Sequence, residues 1–200
     1  SQYDDFDEEF RKGTLKYNKK SRAAYYPFLD DIVAGAKILD VACGDGYDIQ
    51  RFSELGAECY GIDSAENMIA HARKRMPDVE FVCGDMTTLP YEDESFDHIV
   101  SKYAVQTAWD AQKVIGEMDR VLKVGGTITY LVTHPFRQFM EKKKSPKNYF
   151  KKEIVESKFF EGAVTALEPS HTMMEYLDSA WLKRYHTTDY GEYEDFPSAE

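Results

Sequence analysis

From residue 37 onward the chain alternates short apolar runs with longer segments in which apolar side chains recur every three or four positions. The runs KILDVA (37–42), ECYGID (58–63), VEFVC (79–83), FDHIVS (96–101) and TITYLVT (127–133) have the length and apolar density of strands. The first and last are apolar almost throughout, as strands covered on both faces are. Between them lie DIQRFSEL, SAENMIAHARKRM, the short, turn-rich TTLPYEDES and AWDAQKVIGEMDRVL, each long enough to cross over a sheet. Strand followed by helix, repeated, predicts an α/β fold: a Rossmann-like, doubly wound, mostly parallel sheet with helices on both faces. Two helix boundaries are also predicted. Ser64 is the expected N-cap of the segment that follows it, with Asn67 too weak a partner for a full capping box. Gly125-Gly126 is the expected helix stop and turn into the last strand.

The flanks lack this alternation. Residues 3–30 are rich in tyrosine and lysine, and Tyr17, Tyr25, Tyr26 and Phe28 are spaced as in one or two amphipathic helices, which predicts a helical lid over residues 1–35. Residues 134–185 read as mostly helical, with Pro135, Pro146 and Pro169 as breakers, and the last twelve residues carry five acidic side chains, an expected frayed tail or single irregular strand. The chain thus divides, within one domain of residues 1–200, into lid (1–35), core (36–134) and a helical insertion with tail (135–200).

A length of 200 residues suits one hydrophobic core. No apolar run approaches the roughly 20 residues that a membrane span requires. The first residues include Asp4, Asp5, Asp7, Glu8 and Glu9, the reverse of a basic leader, so a cytoplasmic location is expected. Cys43, Cys59 and Cys83 have no close pairing and are expected to be small buried thiols near strand ends, with neither disulfides nor a metal cluster. A net charge of −11 repels phosphate backbones and argues against a nucleic-acid partner. One stretch runs against this balance. Between Arg137 and Lys152 stand Arg137, Lys142, Lys143, Lys144, Lys147, Lys151 and Lys152 against Glu141 alone, either a solvated connector or a receiver for an anionic partner.

The most informative stretch is Ile38-Leu39-Asp40-Val41-Ala42-Cys43-Gly44-Asp45-Gly46, which runs off the first strand into a helix. Gly44 and Gly46 let the backbone turn tightly and approach a ligand without an intervening Cβ, while the helix start offers unpaired N–H groups. Asp63 ends the second strand 23 residues after Asp40, matching the carboxylate about 20 residues on that accepts hydrogen bonds from ribose hydroxyls in nucleoside-binding α/β folds. Cys83-Gly84-Asp85-Met86 puts a third carboxylate after the third strand, on the same edge of the sheet.

Asp-Val-Ala-Cys-Gly-Asp-Gly, Gly-Ile-Asp-Ser-Ala-Glu-Asn-Met and Gly-Asp-Met-Thr-Thr-Leu-Pro-Tyr-Glu-Asp-Glu-Ser-Phe-Asp resemble the successive motifs of class I S-adenosylmethionine-dependent methyltransferases. The likeness is to small-molecule enzymes of the ubiquinone/menaquinone-biosynthesis type and covers residues 36–134. It implies S-adenosylmethionine as cofactor and a small-molecule acceptor as partner. It also implies Asp40, Ala42 and Gly44 around the methionine moiety, with Asp63 on the ribose hydroxyls. Ser64 and Met68 then flank the adenine, Asp85 accepts from its amine, and the Met86 N–H reaches a ring nitrogen. Lys102 and Tyr103 pass beside the sulfonium. Ala42 replaces the first loop glycine of the pattern, and the antiparallel strand pair that normally closes the fold has at most one candidate, around His186–Tyr193.

The acceptor side is less legible. Tyr17, Tyr103, Gln106 and Trp109 are a candidate wall of the acceptor pocket, and Tyr17 is also expected to reach the cofactor. His134, just past the fifth strand, is the first candidate for a catalytic base and His171 the second, since histidine titrates near neutrality. Two other readings use the same fold. A non-catalytic module that binds the cofactor would keep every motif. A nicotinamide oxidoreductase requires G-x-G-x-x-G, and Ile49 stands at the third glycine position, where its bulk opposes close helix–strand packing.

Overall fold

A computed structural model describes Glu8 and residues 11–13, 18–141, 148–159 and 164–187. Five parallel strands, β1 (Lys37–Val41), β2 (Glu58–Asp63), β3 (Glu80–Cys83), β4 (Phe96–Lys102) and β5 (Leu122–Leu131), form one sheet in the order β3-β2-β1-β4-β5. The helices α1 (Lys19–Tyr25), α2 (Tyr47–Glu54), α3 (Glu66–Arg75) and α4 (Ala111–Val121) accompany it. The expected doubly wound arrangement follows from alternation within the strands. Leu39, Val41, Ile62 and Ile99 pack against Val114, Ile115 and Met118 of α4 on one face. Ile38, Phe81 and Val100 pack against Tyr25, Ile49, Phe52 and Ile69 on the other. Apolar residues of both parities are therefore buried, which is why β1 reads as a continuous apolar run.

The described part of the N-terminal segment is packed onto this second face. Tyr25 and Leu29 are core residues, and the Tyr25 hydroxyl donates to the Thr129 carbonyl at 3.3 Å. Among the described residues no helix is long and apolar enough to cross a membrane.

Four expectations need correction. Helix α4 ends at Val121 and β5 begins at once with Leu122, so Gly125-Gly126 is not a helix stop. Phe96 pairs with Leu122 and His98 with Thr127, so the glycines lie in a bulge. There Gly125 has φ +84°, and a Cβ on Gly126 would meet the Asp97 carbonyl at 2.6 Å. Ser64 is not the N-cap of α3: that residue is Ala65, whose N–H is taken by the Asp63 carboxylate at 2.8 Å. The thiols differ among themselves. Cys59 is buried and its pKa is pushed up to about 12 by burial, Cys43 is half-buried, and Cys83, at the tip of the edge strand β3, is exposed.

The fourth correction concerns residues 134–185, which are not mostly helical. Between α5 (Pro135–Glu141) and the short helices α6 (Met173–Tyr176) and α7 (Ser179–Arg184) lies an antiparallel hairpin, β6 (Ile154–Phe159) with β7 (Val164–Pro169), in a sheet of its own. Its buried face includes Ser157, Ala166 and Glu168, while Ile154 and Leu167 face solvent. Polarity is thus partly inverted relative to burial, and an apolar period of two cannot show. His186 and Thr187 have no regular structure, and the rest of the expected strand at His186–Tyr193 lies outside the described residues.

The turn from β1 into α2 rests on Gly46, the N-cap of α2, at φ +74° with its Cβ position 3.0 Å from the Phe81 ring. Both backbone and space oppose a side chain there. Gly46→Ala is expected to lower the urea midpoint by an amount equivalent to about 2 kcal/mol, with Gly35→Ala, at the same φ but in open space, costing less.

Candidate functional site

The sheet order reverses between β1 and β4, where the carboxyl ends of adjacent strands lead their chains in opposite directions and leave a crevice. A cavity of about 210 Å³ occupies it. Nine residues expected at the cofactor line this cavity: Ala42, Gly44, Asp63, Ser64, Met68, Asp85, Met86, Lys102 and Tyr103. Asn18, Ile62, Gly84, Ala104, Thr107, Thr133 and Glu168 complete its wall.

Asp63 is built into the loop it faces. One carboxylate oxygen accepts the Gly44 N–H and the other the Ala65 N–H, each at 2.8 Å. A carboxylate oxygen has more than one lone pair, and Asp63 also lines the cavity. Asp85 is more exposed and holds its own turn by accepting the Thr87 N–H at 2.7 Å. That turn is tied down from behind. Arg120 donates to the Leu89 and Tyr91 carbonyls, and Glu117 accepts the Leu89 N–H. Gly44 has φ +55° and nothing within 4 Å of a Cβ position, an open cradle on the ligand side. Ala42 and Tyr103, both in the wall, have φ of +62° and +55°. Strained backbone of this kind, costing about 1–3 kcal/mol per residue, concentrates at ligand sites. The positive φ at Ala42 also explains why glycine is the usual residue there.

Asp40 and Gly46 are not in the wall. Asp40 lies on the opposite strand parity from Leu39 and Val41 and is 5% exposed, in a buried charge cluster behind the crevice. At its centre Asp48 receives Arg22 Nε at 3.1 Å, the Tyr26 hydroxyl at 2.5 Å and Lys102 Nζ. Burial raises the Asp48 carboxyl, but the Lys102 charge and the hydrogen bonds from Lys102 and Tyr26 outweigh it and hold the group below the ordinary range. Burial, with Asp48 next to it, pushes Asp40 well up. Burial pushes the Lys102 ammonium down, against the pull of Asp48.

On the acceptor side the candidates separate. Tyr103 lines the cavity, whereas the buried Gln106 and the exposed Trp109 do not. Tyr17 lies outside the described residues. His134 precedes α5, with its Nδ1 accepting the Phe136 N–H at 3.1 Å and its carbonyl accepting those of Arg137 and Gln138, and it is not in the wall. His171 is buried, with Nε2 3.1 Å from the Gln106 carbonyl and Nδ1 3.4 Å from Glu175. Burial and the nearby Lys152 charge hold its pKa below the usual value. Glu168, unlike either histidine, is part of the cavity wall. It is 1% exposed, lines the cavity and accepts the Ser157 hydroxyl at 2.5 Å. The sequence carries no motif around Glu168 that marks it, while Thr133 could have been found as the last residue of the fifth apolar run.

This is the Rossmann-like fold of the methyltransferases, and residues 39–130 match the family model described as "Methyltransferase domain". The chain is 33% identical over 104 residues to a demethylmenaquinone methyltransferase of Renibacterium salmoninarum, covering 52% of this chain and 44% of the relative. A demethylmenaquinone methyltransferase of Staphylococcus aureus is 38% identical over 105 residues, covering 50% and 44%. The chain therefore spans less than half the length of these relatives. An S-adenosylmethionine-dependent methyltransferase of Mesorhizobium loti has the same fold, with a TM-score of 0.65 at 23% identity over 80% of each chain. The matched stretch is thus similar to the methyltransferase domains of menaquinone-biosynthesis enzymes.

Proposed function

We propose that the protein transfers a methyl group from S-adenosylmethionine to a phenolic, quinol-type small molecule. The observation that carries this reading is the convergence of Asp63, Asp85, Met68 and the Ala42–Gly44 turn on one cavity. These residues suit the cofactor: Asp63 offers acceptor oxygens to the ribose diol, Asp85 one to the adenine amine, and Met68 and Ser64 apolar and polar cover for the ring. Bound S-adenosylmethionine supplies a methyl group activated by a positively charged sulfur. Transfer needs close, aligned approach in a dry site more than acid–base work. The similarity to demethylmenaquinone methyltransferases supports a quinol acceptor.

A phenolic acceptor must lose a proton as its electron pair reaches the methyl carbon. Glu168, buried and fixed by Ser157, is placed to accept that proton in the wall that also holds Thr107 and Thr133. His134, the sequence candidate, is engaged at the start of α5.

Incubation with methyl-labelled S-adenosylmethionine and a reduced naphthoquinone is expected to give a labelled, solvent-extractable product. Glu168→Gln should lower kcat by about a hundredfold without changing affinity for the demethylated cofactor. Absence of product across naphthoquinols, benzoquinols and simple phenols, with the cofactor still bound, would favour the non-catalytic binding module.

A further inference from the structure

The basic stretch set apart by the sequence is not used by the site described above. Its described basic members, Arg137, Lys151 and Lys152, stand next to exposed large apolar side chains. Phe136 and Met140 stand one turn apart on α5, 55% and 63% exposed. The Phe136 ring begins a chain of aromatic contacts, to Phe139 at 6.0 Å, on to Tyr149 at 5.7 Å and to Phe150 at 5.3 Å, and Phe150 is 80% exposed. The Tyr149 hydroxyl accepts the N–H of Met173, whose neighbour Met174 is 57% exposed. Trp109, 58% exposed, joins through Lys152, whose ammonium lies 5.3 Å above the indole and also pairs with Glu175. Exposed apolar side chains grouped in this way mark an interaction surface.

Charge identifies the partner. In a chain of net charge −11, the segment Arg137–Lys152 carries seven basic side chains to one acidic. A second copy would bring the same positive segment, and like charges would oppose it. Aromatic and methionine side chains beside lysine and arginine are the composition that enters the interface of anionic bilayers. We propose that this face docks the protein on an anionic lipid surface. It borders the cavity: Thr133 in the wall lies three residues before Phe136, and Thr107 two residues before Trp109. A lipid-soluble molecule could therefore pass between bilayer and crevice without crossing much water.

Sedimentation of the full chain with vesicles of phosphatidylcholine alone, and of phosphatidylcholine mixed equally with phosphatidylglycerol, tests this. Binding is expected only to the anionic vesicles and should weaken as salt rises. Arg137→Gln and Lys151→Gln should each lower partitioning about fivefold, and the pair Phe136→Ser with Phe150→Ser roughly tenfold or more. All of these variants should keep wild-type affinity for the demethylated cofactor, so this test stands apart from the catalytic reading. The proposal is overturned by no binding to anionic vesicles, by equal binding to both kinds, by binding that both sets of variants leave unchanged, or by a concentration-dependent dimer that the phenylalanine pair abolishes.

Discussion

Asp63→Ala is expected to weaken binding of S-adenosylhomocysteine by a hundredfold or more, the largest effect of any single substitution in the crevice. Two charge-assisted hydrogen bonds to a ribose diol, at about 1.5–3 kcal/mol each, account for that size. The same carboxylate takes the Gly44 and Ala65 N–H groups at 2.8 Å, so the variant also loosens the cradle and should lose roughly 2 kcal/mol of stability. Calorimetric titration beside urea unfolding separates the two losses. Asp63→Asn tests the split: its amide retains one oxygen acceptor but presents donors to an N–H group, so binding should stay at least tenfold weak.

The second large effect is on stability. Asp48→Ala should cost about 3–5 kcal/mol, because it strands the largely buried Arg22 and Lys102 cations without their shared counter-charge. That is a large part of a small domain's total stability. Removing charges of both signs should recover much of it, so Asp48→Asn combined with Lys102→Met is expected to be more stable than the summed single losses. The pH dependence has a definite sign. A carboxyl held below its ordinary value in the folded state contributes stability that is complete above the unfolded pKa and lost as pH falls through the folded one. Asp48 is such a group, so the wild-type acid limb below about pH 4 should flatten in Asp48→Asn. An unchanged limb would place the acid sensitivity elsewhere.

How much of this was legible in the sequence depends on which force set each feature. The five parallel strands were visible because burial on both faces writes apolar residues at consecutive positions, as at Ile38-Leu39 and Ile99-Val100. Asp63 and Asp85 were visible because a strand's carboxyl end fixes where a following residue goes. Asp40 was expected at the ligand, yet strand parity turns it to the α2 face, where Asp48 and Lys102 meet it. The β6–β7 hairpin could not be read, since its inward positions include Ser157 and Glu168 and its outward ones Ile154 and Leu167. Glu168 was missed with it. The two histidines were chosen by residue type and, for His134, by its place just past the fifth strand; the structure gives each a local partner: Phe136 for His134, and Gln106 with Glu175 for His171.

The account stands on one nucleoside seat shared by carboxylates from two neighbouring strand tips. Titration of the wild-type chain with S-adenosylhomocysteine, and separately with NAD, addresses it most directly. The expected result is saturable binding at one site per chain, on the order of micromolar, with NAD at least a hundredfold weaker. No heat from S-adenosylhomocysteine, or tighter binding of NAD, would contradict it.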